Sequence, residues 1–361
     1  MSVVAASAAN DPACVSGDAF AARLLAWFDV SGRHDLPWQH PRSPYSVWLS
    51  EIMLQQTQVQ TAAPYFRRFV AALPDLRALA AAPLDDVLAL WSGLGYYARA
   101  RHLHAAARRC VELHAGELPR DIDALVALPG IGRSTAAAVL AQAWGDRHAI
   151  LDGNVKRVLS RYHGIEGWPG TPAVEKQLWA FAEGHLPLAR LADYTQAQMD
   201  LGATLCTRAD PACVLCPLQR DCAARRAGRV AELPTRKPTR VVPQRHAHVL
   251  WLEDAQGRVL LQRRPPAGIW ASLWTLPQAD DDAAASEWLR QHVVGYGDDG
   301  EKLSPIAHAF SHYKLELQPR RWRDISIRPS ISDNDDLRWA TRADLAKLGI
   351  PAPIRRLLEA G

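Results

Sequence analysis

The chain has 361 residues, 48% of them apolar and 22% charged, with a formal net charge of +4. That length suits two domains of ordinary size, and that apolar content excludes wholesale disorder. The mild basic excess permits nucleic-acid binding without requiring it. No run of about 18 apolar residues is present to span a membrane.

Residues 1–17 form an Ala-rich tail with no basic segment ahead of an apolar core. They read as a disordered tail, not a signal peptide, which predicts a cytoplasmic protein. Six cysteines in a reducing compartment then read as metal ligands or free thiols. From Asp18 to Ala224 helical periodicity dominates, as in Tyr45, Trp48, Leu49, Ile52 and again in Val139, Leu140, Ala143, Trp144. Stops such as Leu73-Pro74, Ala82-Pro83 and Gly93-Leu94-Gly95 divide it into short helices. Residues 225–245 carry seven basic residues against one acid, with Pro234, Pro238 and Pro243. They read as a semi-rigid linker, either a plain tether or one that also touches a DNA backbone. Beyond it the period shortens. Strands are predicted at 246–252 and 259–261 around the Gln256-Gly257 turn, and again at 313–317. Helices are predicted at 283–292 and 341–358, which makes residues 246–361 a small α+β domain.

Cys206, Cys213, Cys216 and Cys222 form C-x6-C-x2-C-x5-C, bent by Pro211 and Pro217. A zinc ribbon presents two C-x2-C knuckles where this run has one, so a [4Fe–4S] cluster fits better, with zinc as the alternative. Leu128-Pro129-Gly130-Ile131-Gly132-Arg133-Ser134 reads as helix stop, glycine turn and helix start. Such a turn aims backbone amides at an anion, or is a tight helix–helix connection that binds nothing. Asp152, in Leu151-Asp152-Gly153-Asn154, follows an apolar stretch and precedes an amphipathic helix, so capping alone would explain it. Glu51 sits among apolar residues in Trp48-Leu49-Ser50-Glu51-Ile52, where a carboxyl needs a partner or takes a raised pKa unless it lies on a solvated face.

The hairpin, an aspartate about twenty residues later and the four-cysteine run resemble the helix-hairpin-helix endonuclease III superfamily of DNA glycosylases. Leu36-Pro37-Trp38, Glu51 through Gln55-Gln56-Thr57-Gln58-Val59, Gly93 to Arg101 and Leu151 to Val155 are similar to its adenine DNA glycosylase (MutY) branch. The likeness runs from Leu36 to Cys222 and more weakly beyond. It implies an all-α glycosylase domain over 18–224, with 31–145 as a six-helix module containing the hairpin 128–136. The N-terminal helix and 146–224 would form the iron–sulfur module, and 246–361 a small α+β Nudix-like domain.

The resemblance also implies roles. Glu51 protonates adenine N7, Asp152 stays ionised beside the developing sugar cation, and Asn154 supports Asp152. Environment must separate the two acids, with Glu51 raised by apolar surroundings and Asp152 held down by helix-start amides. Gln56 and Tyr96 enter the base stack while the adenine flips out, and Trp38 and Asp200 line its pocket. Gly130, Gly132 and Arg133 hold the DNA backbone. Ser134 stands where strand-cutting relatives carry a lysine that forms a Schiff base, so an intact abasic strand is the expected product. Gly268 to Pro277 and Phe310-Ser311-His312 look like the lesion-reading part of the Nudix-like domain, with an aromatic wedge and a hydroxyl for the altered base edge. No R-E-x-x-E-E box is found, so pyrophosphohydrolase activity and a nucleotide cofactor are not expected.

The expected partner is double-stranded DNA carrying adenine opposite 8-oxoguanine or guanine, bound by a monomer at the bacterial nucleoid. Two rival readings remain at this point. One is a bifunctional glycosylase/lyase acting on oxidised pyrimidines, which Ser134 and the second domain disfavour. The other is a non-catalytic iron–sulfur DNA-binding protein, which the pairing of Glu51 with Asp152 disfavours.

Overall fold

The computed structural model describes residues 19–238, 242–296, 300–310, 313–328 and 336–360. Contacts divide the chain into two units: residues 1–70, 75–77 and 105–239, and residues 71–74, 78–104 and 240–361. Residues 78–104 therefore group with the C-terminal half, although their helical pattern continues that of the N-terminal half.

The helices in chain order begin with α1 (Ala19–Ser31), α2 (Pro44–Leu54), α3 (Val59–Ala72), α4 (Leu76–Ala81) and α5 (Leu84–Leu90). They continue with α6 (Ala98–Leu113), α7 (Ile122–Val126), α8 (Arg133–Trp144), α9 (Gly153–His163), α10 (Pro172–Gly184) and α11 (Leu191–Thr204). Local chemistry sets the ends that matter. Ser43 caps α2, accepting from the Ser46 amide at 3.0 Å, with Pro44 in the first turn. Asp152 caps α9 in the same way from Val155 at 2.8 Å. α8 runs Ala136 to Gln142 entirely buried and packs against α2 and α11. Phe20, Leu24, Phe28, Leu151, Val155, Tyr194 and Leu201 form one apolar cluster of the first unit. Among the described residues no helix is long and apolar enough to cross a membrane.

The basic segment 225–245 is not a free tether over its first half. A short helix, α12 (Ala223–Arg226), opens it. Arg229 then pairs with Glu166 at 2.6 Å and Glu232 at 2.7 Å, and Leu233 is buried with its carbonyl accepting from Arg161 Nε at 2.8 Å. Thr235 Oγ1 accepts from the Gly167 amide at 3.1 Å, and the Lys237 amine lies 5.4 Å from the Trp168 ring centre. One buried leucine and partnered cations outweigh the solvated reading of the composition.

In the second unit β1 (Gln244–Leu252), β2 (Val259–Arg263), β3 (Trp274–Thr275) and β4 (Gln278–Ala279) precede α13 (Asp282–His292). Then come β5 (Val293–Val294), β6 (Glu301–Lys302), β7 (Ile306–Ala309), β8 (Lys314–Trp322), β9 (Ser326–Ile327) and β10 (Leu337–Ala340). β1 and β2 flank the predicted turn without forming a ladder beyond one bridge, Glu253 to Val259. β1 instead runs parallel to β8, from Gln244 opposite Lys314 to Leu252 opposite Trp322, while β2 lies between β10 and β3. The unbroken buried run Val249–Leu252 suits a strand covered on both faces. The expected closing helix 341–358 is two helices, α14 (Arg342–Leu345) and α15 (Ala352–Ala360). Pro351 supplies no amide and drives Ile350 out of the helical region, which breaks the pattern.

Candidate active site

Glu51 lies on the last turns of α2, and its Oε1 accepts from Gln142 Nε2 on α8 at 3.0 Å. Burial, with the Asp152 charge adding to it, pushes the Glu51 carboxyl up to about 7, against the opposing pull of the Gln142 hydrogen bond. Asp152 also moves up. Its burial outweighs the Val155 and Asn154 amides, the Arg157 cation and the Asn154 side chain, all of which pull down. The expectation that helix-start amides hold Asp152 low is corrected accordingly: the amides are present, and burial wins. The Asp152 charge raises Glu51, so an ionised Asp152 and a protonated Glu51 favour each other.

The Asp152 loop is fastened from several directions. Asn154 Nδ2 reaches Asp152 Oδ2 at 3.3 Å, and Arg157 Nη2 donates to Asn154 Oδ1 at 2.8 Å. The same guanidinium donates to the carbonyls of Gly202 and Cys206, each at 2.7 Å. A Cβ on Gly202 would lie 2.5 Å from the Asn154 Cβ, so only glycine lets α11 approach α9 here. Ser134 Oγ accepts from the Leu151 amide at 2.9 Å, so this hydroxyl braces the residue preceding Asp152.

The hairpin has the expected shape. Gly130 takes φ +77°, and Gly132 caps α8 with no side-chain bond to its first amides. A Cβ at Gly132 would meet nothing within 4 Å, so the fold itself does not demand glycine there. Arg133, by contrast, is engaged within the unit: it pairs with Glu183 and its guanidinium carbon stands 3.9 Å from the centre of the Trp179 ring.

Two other residues nominated for the adenine pocket are deeply buried. Trp38 packs edge-on to Phe66 at 5.5 Å. Asp200 accepts from the Arg33 amide at 2.7 Å, from Arg33 Nε and Nη2 at 2.9 and 2.6 Å, and from Gln196 Nε2 at 2.7 Å. Its carboxylate thus holds the chain segment leading to Trp38. Gln56 and Tyr96 share an uncommon backbone, φ +57° and +49°, and both are exposed. Side chains bearing a Cβ take that conformation at a cost, which the surrounding turn must impose.

All four cysteines of the run line one cavity with Val158, Arg161, Tyr162 and Leu218. Burial, with the three neighbouring cysteines adding to it, pushes the Cys216 thiol up to about 11 against the pull of the Leu218 amide. Arg161 Nη1 donates to Cys206 Sγ at 3.4 Å. Among the described residues no three His, Cys, Asp or Glu side chains converge as a single-ion site would.

In the second unit Phe310 belongs to an aromatic group. Tyr313 stacks on it at 4.7 Å, His308 meets it edge-on at 4.6 Å, and Trp270 lies 5.8 Å away. Ser311 and His312 lie outside the described residues.

Residues 49–183 match the family model of the HhH-GPD superfamily base excision DNA repair protein, and 248–360 match that of the NUDIX domain. The adenine DNA glycosylase of Buchnera aphidicola (subspecies Acyrthosiphon pisum) is 35% identical over 340 residues, covering 94% of this chain and 97% of that protein. The chain belongs to the adenine DNA glycosylase family. It is a DNA N-glycosylase of base excision repair. The human adenine DNA glycosylase is 32% identical over 402 residues, covering 94% of this chain and 73% of its own length. Among solved structures a thermostable thymine-DNA glycosylase superposes with a TM-score of 0.53 at 28% identity, covering 58% of this chain and 95% of its own.

Sequence reasoning missed Gln142, Arg157, Arg33 and Gly202. Signals were present for the first two. Gln142 is the lone amide in an alanine-rich helix, and Arg157 stands one helical turn after Asn154.

Proposed function

We propose that the adenine glycosylase acts on adenine paired with 8-oxoguanine or guanine in duplex DNA and leaves the abasic strand uncut. One observation supports the chemistry: a carboxyl pushed up to about 7 by burial, with the charge of a second acid adding to it. Glu51 gives its proton to adenine N7. The C1′–N9 bond breaks with its electron pair passing to the base, and the cation left on the sugar faces the Asp152 carboxylate. Water adds at C1′ and loses a proton, which completes the hydrolysis. Asn154, Arg157 and Ser134 keep Asp152 in place, and a serine at position 134 supplies no amine for a Schiff base. Gln56 and Tyr96, already in strained turns, fill the gap that the flipped adenine leaves. Phe310, with Ser311 and His312, reads the opposing base.

The four cysteines line one cavity, which supports a [4Fe–4S] cluster held by all four, as their spacing suggests. Cys206, Cys213, Cys216 and Cys222 would hold the cluster, whose metal–sulfur bonds would tie residues 206–222 to the residues of α9 and α11 that line the same cavity. Arg161 and Arg157 seat that loop through Cys206.

The test is a denaturing gel of duplexes with adenine opposite 8-oxoguanine, run before and after hot alkali. Strand cleavage that appears only after alkali is the expected result. Direct nicking, or no product after alkali, would overturn the assignment.

A further inference from the structure

A carboxylic acid has two oxygens and one proton, and only one oxygen can face the leaving base. Glu51 is asymmetric in this respect. Its Oε1 takes a hydrogen bond from Gln142 Nε2 at 3.0 Å, and an N–H pointed at an oxygen excludes an O–H on that same oxygen along that line. Gln142 is 4% exposed and follows Ala136, Ala137, Ala138, Val139, Leu140 and Ala141, all buried. An amide in such a stretch is costly unless bonded, so its rotamer is tied to the carboxyl it meets. The helix itself is anchored: α8 packs on α2, which carries Glu51, and on α11. At its other end the same helix braces the approach to Asp152 through Ser134 and Leu151.

We infer that Gln142 is a positioning residue that fixes Oε1 of Glu51 as the acceptor and reserves Oε2 for the proton delivered to adenine. α8 then serves as a common frame, holding one acid through a side-chain amide and the residue before the other through a serine hydroxyl. This rests on the reading of Glu51 as the general acid. The groups that face Glu51 are the Asp152 charge from the start of α9 and the Gln142 amide from α8. Removing the amide takes away an interaction that favours the ionised carboxylate, so the proton should be held to higher pH. It should also populate Oε1, where it is useless.

The test is the pH dependence of single-turnover adenine excision in the full-length protein, comparing Gln142→Met, which keeps the volume, with Gln142→Glu. For Gln142→Met the plateau rate should fall about tenfold, and the alkaline limb should move up by roughly half a pH unit. In Gln142→Glu two carboxyls share the proton, and the limb should move further up. Mismatch binding should stay within about twofold of wild type in both, because Gln142 is buried and its amide is turned to Glu51. An unmoved limb in whichever variant keeps its wild-type binding overturns the inference. A parallel Glu51→Gln variant separates the two claims. If it still excises adenine, the acid assignment itself fails. If it is inactive while both Gln142 profiles are unmoved, only the role of Gln142 fails.

Discussion

Glu51 and Asp152 are held through hydrogen bonds to single, identifiable groups: an amide on α8, the Val155 amide at the start of α9, Asn154 backed by Arg157, and the Ser134 hydroxyl of the hairpin, which takes the amide of Leu151 just before Asp152. Phe310 is held differently, by rings drawn from three segments of the second unit, Trp270, His308 and Tyr313. A hydrogen bond has a direction and a partner, and losing it leaves a buried polar atom unpaired. A ring packed on rings can shift by a few tenths of an ångström and keep most of its contact area. The proposed catalytic end should therefore respond to single changes all or none, while the proposed lesion-reading end should respond by degrees.

The largest effect that would test this contrast belongs to Glu51→Gln. Excision should drop by about a thousandfold or more, with mismatch binding retained, since a general acid contributes on that order. Stability should move the other way. The folded carboxyl binds its proton up to about 7 against 4.5 for the free side chain. The stability linked to that proton is complete below the unfolded value and is lost as pH rises through the folded one. At pH 8 the buried charge thus costs the wild type up to about 3 kcal/mol, and the variant escapes that cost. A higher melting temperature for Glu51→Gln at pH 8 that vanishes at pH 4 is the check. Equal melting curves at both values would show that the carboxyl is not held protonated by burial.

A smaller effect of the same type is predicted at Gln56. Its φ of +57° suits glycine, so Gln56→Gly should stabilise the protein by about 1 kcal/mol while slowing excision roughly tenfold. Stability and rate moving in opposite directions would mark the turn as strained for its function. If both fell, the side chain would be a packing element of the fold.

How much of this could be read in advance follows the same division. The hairpin, the cap at Asp152 and the cysteine run are local, so spacing and residue type were enough to find them. The direction of the Asp152 shift was not, because burial is a property of how α8, α9 and α11 meet, and no local pattern reports it. Asp200 illustrates the limit: the resemblance offers it as a pocket residue, and nothing local reports that Arg33, 167 positions earlier, bonds its carboxylate. The pairing of β1 with β8 is hidden for the same reason. A turn signal at Gln256-Gly257 suggests a hairpin, whereas the ladder joins Gln244 to Lys314 across most of the unit.

The smallest predicted effect lies in the aromatic group. Trp270 is 9% exposed and takes φ +53°, so a short strained turn places its ring near His308 and Phe310. Trp270→Leu keeps an apolar filler and removes the ring surface, which should loosen Phe310 without freeing it. Preference for adenine opposite 8-oxoguanine over adenine opposite guanine should then fall by about three- to fivefold, a loss of roughly 1 kcal/mol of ring contact. The single-turnover rate on the preferred duplex should hold, because Glu51 and Asp152 belong to the other unit. Titrating the variant against both duplexes and measuring both rates separates the two readouts. A collapse of the rate on both would mean that the second unit governs catalysis as sharply as a hydrogen-bonded acid does, and the contrast between the two regions would not survive.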